Sequence, residues 1–175
     1  SSPDMRQFKM VADALRSKGF FNDAIATEDP YEKFKKQLSA SLGASGYDKF
    51  IAPSETPKGI HVELSSGAFF LPGSAKFSPE ALPMLEMIAA QVLPLAKADI
   101  VVEVEGHTDD SLVASELYPS NWELSAARAT NVVRFLVTKG FPKQKLRAVG
   151  LADTQPKAPN RDATGAVILA NQDLN

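Results

Sequence analysis

The stretch VVEVEGHTDD, residues 101–110, is where a strand pattern meets a cluster of polar side chains. Valines alternate with Glu103 and Glu105, which predicts a strand with its apolar face in the core. The alternation ends at Gly106, and His, Thr and two Asp follow at once. We therefore expect a polar cluster at the end of a strand, suited to acid–base chemistry, to a metal or to a ligand.

A second stretch, PSNWELSAARATNVVRFLVTKGF (residues 119–141), has the period of an amphipathic helix. Ser120 and Glu123 fit a capping box at its start, and Gly140 fits a helix stop. At about 100° per residue, one narrow arc of this helix holds the apolar side chains Leu124, Val132 and Phe135. Trp122, in the first turn, is expected to be a packing residue, with contact to a glycan as the alternative.

Arg128 projects from the same apolar arc, whereas Arg134 lies well away from it. A charged guanidinium in an apolar stripe needs a partner, because an unpaired buried charge is very costly. One reading is a structural ion pair with a carboxylate at the end of a neighbouring strand. The other is a clamp in which Arg128 and a strand-end Asp hold the carboxylate and ammonium of a zwitterionic ligand. Periodicity alone leaves both open.

Other segments complete the expected architecture. IHVEL (60–64) and KLRAVG (145–150) predict strands, and a helix is expected between them from Ser78, its N-cap, until Pro94 kinks or ends it. GAVILA (165–170) fits either a strand or a short helix. The order strand, helix, strand, helix, strand predicts an α/β (α+β) domain with helices packed on one face of a small sheet.

Residues 1–58 have a different pattern, and we expect an N-terminal helical linker region there, followed by the main domain at 59–175. Two short helices are predicted, to pack on the main domain or on a second copy of the chain. APSETPKG (52–59) has the composition of a linker. The apolar positions of the two helices are Phe8, Val11, Ala12 and Leu15, then Tyr31, Phe34 and Leu38.

Composition narrows the functional classes. The chain of 175 residues has no cysteine, two histidines and a net charge of -2. These counts argue against thiolate chemistry, a zinc site and nucleic acid as a partner. No G-x-S-x-G elbow occurs, and no apolar run approaches the roughly 20 residues of a membrane span. We therefore predict no metal and no cofactor, with His107 fixing its loop by a hydrogen bond, while composition alone leaves a Ser–His–Asp hydrolase open and the prediction of no enzyme comes from the resemblance described below. Glu103 and Glu105 are expected on a solvated or cross-strand-paired face.

Three ordered motifs carry a resemblance to a known family: GHTDD, NWELSAARATNVVRFL and LRAVGLADTQP. Together they resemble the OmpA-like peptidoglycan-binding domain over roughly residues 60–160. FFLPGSAKFSPEALPMLEMIA and the spelling NWELSAARA are similar to one branch, the periplasmic region of flagellar motor stator B subunits (MotB/PomB type).

The resemblance implies a βαβαβ domain with a mixed sheet, preceded by N-terminal helices, that binds the peptide stem of peptidoglycan without catalysis. Asp109 would grip the ammonium of diaminopimelate and Arg128 its carboxylate. Thr108, Asn121 and Leu124 match positions that line the same pocket.

In a stator, the resemblance implies a periplasmic wall anchor in a single-span inner-membrane protein. Its implied partners are a second copy of the chain in a homodimer, the stator A subunit and flagellar basal-body ring proteins. The region 1–58 would join the anchor to the membrane segment. The alternative is the same module in a lipoprotein or a secretion-system anchor, and an unrelated small hydrolase is a third reading.

Two departures from the family pattern accompany the resemblance. The loop between Asp109 and Asn121 is longer than in many outer-membrane relatives, which is typical of the stator branch. The family continues with N-R-R-V and a final strand, whereas this chain ends in NQDLN. With Asn175 taken as the Asn of that motif, a final edge strand and one arginine are expected to be missing.

Overall fold

The computed structural model describes residues 29–56, 59–98, 100–109, 114–154 and 166–170. The helix expected around Phe8 to Gly19 lies outside these residues. The described helices are α1 (Pro30–Ser45), α2 (Ser66–Phe69), α3 (Ala81–Lys97) and α4 (Asn121–Thr138). The strands are β1 (Ile51–Thr56), β2 (Gly59–Leu64), β3 (Val102–Gly106), β4 (Leu146–Gly150) and β5 (Ala166–Ala170).

The five described strands form one mixed sheet in the order β1-β2-β5-β3-β4. β3 and β4 are parallel and are joined through α4, while the other neighbouring pairs are antiparallel. Parallel neighbours require a crossover connection, and the helix supplies it. The predicted fold class, helices packed on a small mixed sheet with a helix before it, is confirmed.

One apolar core joins the helices to the sheet. Alternate residues of β3, Val102 and Val104, are fully buried, as the strand pattern predicts. Phe34 and Leu38 of α1 belong to the same core, and α1 packs against α3. The expectation that this helix packs on the main domain is therefore confirmed. Each such side chain contributes roughly 1.5–3 kcal/mol by leaving water.

The helix α1 begins and ends where the sequence indicates. The Asp29 side chain accepts a hydrogen bond from the Tyr31 backbone N–H at 2.9 Å, and Pro30 is the first helical residue. Gly46 ends the helix with a left-handed φ of 77°, and its N–H donates to the Leu42 carbonyl. These two caps satisfy backbone groups that a helix leaves unpaired at its ends.

The linker expected at residues 52–59 is a wrong prediction. Residues 51–56 form β1, which pairs antiparallel with β2, with Pro53 opposite Val62. β1 lies at the edge of the described sheet, where a proline without an N–H is tolerated. The composition of the segment therefore reflects an edge strand. The division into regions 1–58 and 59–175 stays a prediction, because residues 1–28 lie outside the described part.

The expected loss of a final edge strand and one arginine stays a prediction, whereas the open choice at residues 165–170 is resolved. Residues 166–170 form β5, which resolves the choice between a strand and a short helix, and β5 pairs with both β2 and β3. It is an internal strand of the sheet rather than an edge strand. The run AVIL contains the β-branched residues that are favoured in strands, and β5 lies between β2 and β3 in the described sheet.

Two details of α3 also differ from expectation. The helix begins at Ala81, and the Ser78 hydroxyl donates to the Ala68 carbonyl instead of capping the helix. Pro94 does not end the helix, which continues to Lys97. Pro94 is exposed, and the kink expected as the alternative stays a prediction.

Two glycines allow α4 to lie directly on the strand ends. Gly106 and Gly150 are partners in the parallel β3–β4 register. A Cβ added to Gly106 would lie 2.0 Å from the Ser125 carbonyl oxygen, and one added to Gly150 would lie 2.6 Å from the Ala126 backbone nitrogen. Both obstacles are backbone atoms of the helix, so only glycine permits this approach.

We expect Gly106→Ala and Gly150→Ala each to lower the free energy of unfolding by about 3 kcal/mol or more, because the helix must move off the sheet. Chemical denaturation of the purified domain measures this. Gly43→Ala is the control, since Gly43 is exposed within α1 with nothing within 4 Å of an added Cβ. That change should stabilise by up to about 1 kcal/mol. Wild-type stability in both strand-end variants would contradict the packing argument.

Candidate functional site

The predicted site residues meet where β3 ends and α4 begins. The Asn121 side-chain amide donates to the Asp109 backbone carbonyl at 3.4 Å, which links the first residue of α4 to the segment after β3. The Thr108 backbone N–H donates to the Ala152 carbonyl at 2.9 Å. The Asp109 side chain is exposed at this junction.

The start of α4 is capped by Ser120, although its hydroxyl accepts from the N–H of Trp122 and not from that of Glu123 as a capping box would require. The Ser120 hydroxyl accepts from the Trp122 backbone N–H and also donates to the Glu123 carboxylate. The second bond lowers the pKa of Glu123, because it favours the ionised form. Trp122 itself is 54% exposed, so its expected packing role is wrong.

Ser125 ties α4 to the turn after β4. Its hydroxyl is fully buried, accepts from the Ala152 N–H at 3.0 Å and donates to the Trp122 carbonyl at 3.1 Å. Ala152 has a left-handed φ of 50°, and the neighbouring Leu151 N–H donates to the Gly106 carbonyl. The strand ends, the turn and the helix are thus connected by buried hydrogen bonds that fix the frame of the site.

Arg128 lies two turns along α4 from Asn121 and is only 7% exposed. Its Nε donates to the Ser74 carbonyl at 2.9 Å, and its Nη1 donates to the Ser66 hydroxyl at 3.1 Å. The guanidinium carbon lies 5.1 Å from the centre of the Phe70 ring, a cation–π contact. Arg134, in contrast, is exposed as predicted.

The surroundings of Arg128 offset only part of the cost of burying its positive charge. Burial lowers the pKa of its guanidinium, while Asp109 and Tyr118 lie close enough to act in the opposite direction. An arginine remains protonated in spite of such a shift. Both hydrogen-bond acceptors given above are neutral, so an anion brought to this guanidinium would be stabilised.

Of the other predicted residues, Leu124 and Thr108 are buried. Leu124 is 2% exposed, which places it beneath the surface of the site. The Thr108 hydroxyl is buried and has no hydrogen-bond partner among the described residues. A buried hydroxyl of this kind is costly unless something else satisfies it. The binding role of all five residues stays a prediction.

His107 fixes the segment by a hydrogen bond, as predicted, and its partner is Glu105. The His107 Nε2 and Glu105 Oε1 atoms are 2.9 Å apart, and both side chains are buried. Glu103 is buried too, so the expected solvated face is wrong. In the parallel register Glu103 lies opposite Arg147, which fits the alternative of a cross-strand pair, whereas Glu105 lies opposite Val149. Within the described ranges, no three His, Asp or Glu side chains gather as a metal site would need.

The sequence interpretation missed the contacts that hold Arg128. Ser66 and Ser74 are 62 and 54 residues away from it in the chain, and Phe70 comes from the same segment. The two adjacent phenylalanines in SGAFFLPGSAKF were the available signal, since an aromatic pair in a loop needs a packing partner. Tyr118, from the loop before α4, was missed as well.

Comparison with known proteins identifies the family. The OmpA family matches residues 69–168, which is more than half of the chain. The chain therefore belongs to the OmpA family. The resemblance to OmpA-like domains of the MotB type is confirmed by the relatives and solved structures described next.

Two relatives come from Bacillus subtilis. The uncharacterized protein YtxE is 29% identical over 92% of this chain and 72% of its own length. Motility protein B is 25% identical over 80% of this chain. The chain spans about half of Motility protein B, 53% of its length.

Two solved structures are similar in fold and sequence. The cell wall anchor of the type VI secretion system from Pseudomonas aeruginosa has a TM-score of 0.66 at 26% identity, over 81% of this chain and 98% of that one. The periplasmic domain of Helicobacter pylori MotB has a TM-score of 0.63 at 25% identity, over 71% of this chain and 90% of that one.

Proposed function

We propose that this domain is a non-catalytic peptidoglycan-binding module that grips the diaminopimelate of the stem peptide. Asp109 binds the ammonium group and Arg128 binds the carboxylate of the same amino-acid end. Thr108 and Asn121 border this ligand, and Leu124 supports it from below. The similarity to a cell wall anchor and to MotB periplasmic domains supports the choice of ligand.

The observation that carries this proposal is that Arg128 is buried while its two hydrogen-bond acceptors are neutral. A buried guanidinium with neutral hydrogen-bond acceptors is an expensive way to stabilise a fold. The same arrangement is useful for binding, because an arginine whose orientation is already fixed loses little entropy when a carboxylate arrives. An exposed carboxylate at Asp109, close enough to influence Arg128, completes a site for a group that carries both charges.

The magnitudes fit a specific but modest site. A hydrogen bond to a charged group contributes about 1.5–3 kcal/mol, which is roughly 10- to 150-fold in affinity for each half of the clamp. Removal of Asp109 would leave the ammonium group of the ligand unpaired, and removal of Arg128 would leave its carboxylate unpaired. Each residue should therefore be necessary for measurable binding.

In the larger setting, we propose that the domain anchors a flagellar motor stator to the cell wall. The relationship to Motility protein B and to MotB periplasmic domains supports this role. The protein would then act in the periplasm, as a homodimer, beside a stator A subunit and basal-body ring proteins. Its membrane segment would be a single inner-membrane span. In the described part of the chain, no helix has the length and apolar character needed to cross a membrane.

A wall anchor of another envelope system is the second candidate. The secretion-system anchor matches nearly its whole length to this chain, at 26% identity. Both candidates use the same ligand site. They differ only in the protein complex that the domain would attach to the cell wall.

We expect Asp109→Asn and Arg128→Ala each to abolish co-sedimentation with diaminopimelate-type peptidoglycan, because each removes one charge of the clamp. Circular dichroism should show that both variants remain folded. Asp48→Asn and Arg134→Ala are matched controls, since both residues are exposed and neither belongs to the predicted site or to the hydrogen bonds that frame it. Retained binding by either site variant would contradict the clamp, and unfolding of either would assign the residue a structural role.

The two candidate settings can be separated in cells. If the domain serves a stator, Arg128→Ala in the full-length protein should stop swimming in a motile host while the flagella remain assembled. Arg134→Ala should leave swimming unchanged. Normal swimming by the Arg128 variant, together with a secretion or envelope defect, would favour the second candidate.

A further inference from the structure

Ser66 lies beside Arg128 and forms a hydrogen bond with its guanidinium group. It is the first residue of α2 and half-buried, and its hydroxyl accepts the hydrogen bond from Arg128 Nη1. The strand β2 ends two residues earlier at the buried Leu64, and the hydrogen bond with Arg128 links Ser66 to α4.

The hydroxyl of Ser66 has a proton to donate. A serine hydroxyl offers one donor and two acceptor lone pairs, whereas a guanidinium offers donors alone. The bond to Arg128 must therefore use a lone pair of Ser66. Among the described residues, no acceptor is recorded for the Ser66 O–H.

Among the described residues, acceptors are present for the Nε and Nη1 atoms of Arg128. Nε is bonded to the Ser74 carbonyl, and one N–H of Nη1 is bonded to Ser66. Phe70 lies against the guanidinium. The remaining N–H groups belong to the Nη1–Nη2 end, which matches the two oxygens of a carboxylate. A carboxylate bound there lies beside Ser66, because Nη1 contacts both.

We propose that Ser66 is a ligand-binding residue whose hydroxyl donates to the carboxylate held by Arg128. This inference rests on the proposed function and deepens it. Three donors on two neighbouring groups make the subsite selective for a free carboxylate. A carboxamide would turn its own N–H₂ toward donors that need an acceptor, which costs affinity.

A purely positioning role for Ser66 makes a different prediction. If the serine only orients Arg128, its loss weakens every ligand of that arginine by the same factor. If the serine donates to the carboxylate, its loss weakens the free acid more than the amide. The ratio of the two affinities therefore separates the roles.

The test is calorimetric titration with a soluble stem peptide that contains diaminopimelate, and with the same peptide amidated at the diaminopimelate carboxylate. We expect Ser66→Ala to weaken binding of the free acid about tenfold and to reduce the preference for acid over amide. Ser66→Thr, which keeps the hydroxyl, should restore both. Ser65→Ala is the control, because the neighbouring Ser65 side chain forms no capping bond to α2.

Equal losses for acid and amide in Ser66→Ala, or no loss at all, would overturn the assignment of Ser66 while leaving the clamp intact. Failure of the folded wild type to bind either peptide would overturn the proposed function, and the role of Ser66 with it.

Discussion

The close approach of α4 to the ends of β3 and β4 is the constraint on which the other features depend. Gly106 and Gly150 are side by side in the sheet, and their missing side chains let the helix backbone lie at a distance that no other residue allows. A buried hydrogen bond from the Ala152 N–H to the Ser125 hydroxyl then links the turn after β4 to the helix and holds this contact in register. With the helix fixed in this way, its first residue reaches Asp109 and its second turn delivers Arg128 to the same edge.

At the edge of the sheet where α4 begins, folding stability favours apolar side chains, whereas the proposed binding requires charged ones. The core beneath this edge is apolar and closely packed, yet Arg128 is buried at its margin at the cost of desolvation. Ser66, Ser74 and Phe70 offset part of that cost by hydrogen bonds and a ring contact, and they also fix the guanidinium in one orientation. A fixed cation beside an exposed carboxylate is the arrangement that the proposed clamp requires.

The sequence predicted the parts of the structure that local periodicity controls. The helix 121–138, its caps, the buried position of Arg128 and the polar cluster after Gly106 all follow from short-range patterns. Prediction was wrong where distant segments decide the outcome. The proline-containing segment 51–56 is a strand only because β2 pairs with it, and β5 is recognisable as an internal strand only when β2 and β3 are known to flank it. The partners of Arg128 come from more than fifty residues away, so the helix pattern around Arg128 could not identify them.

The most direct test of the central claim is a crystal structure of the domain with meso-diaminopimelate bound. The account predicts one amino-acid end of the ligand at the β3–α4 junction, with a carboxylate oxygen about 3 Å from the Arg128 Nη atoms and the ammonium at the Asp109 carboxylate. Ligand bound elsewhere, for example against the exposed Trp122, or bound here without contact to Arg128, would contradict it.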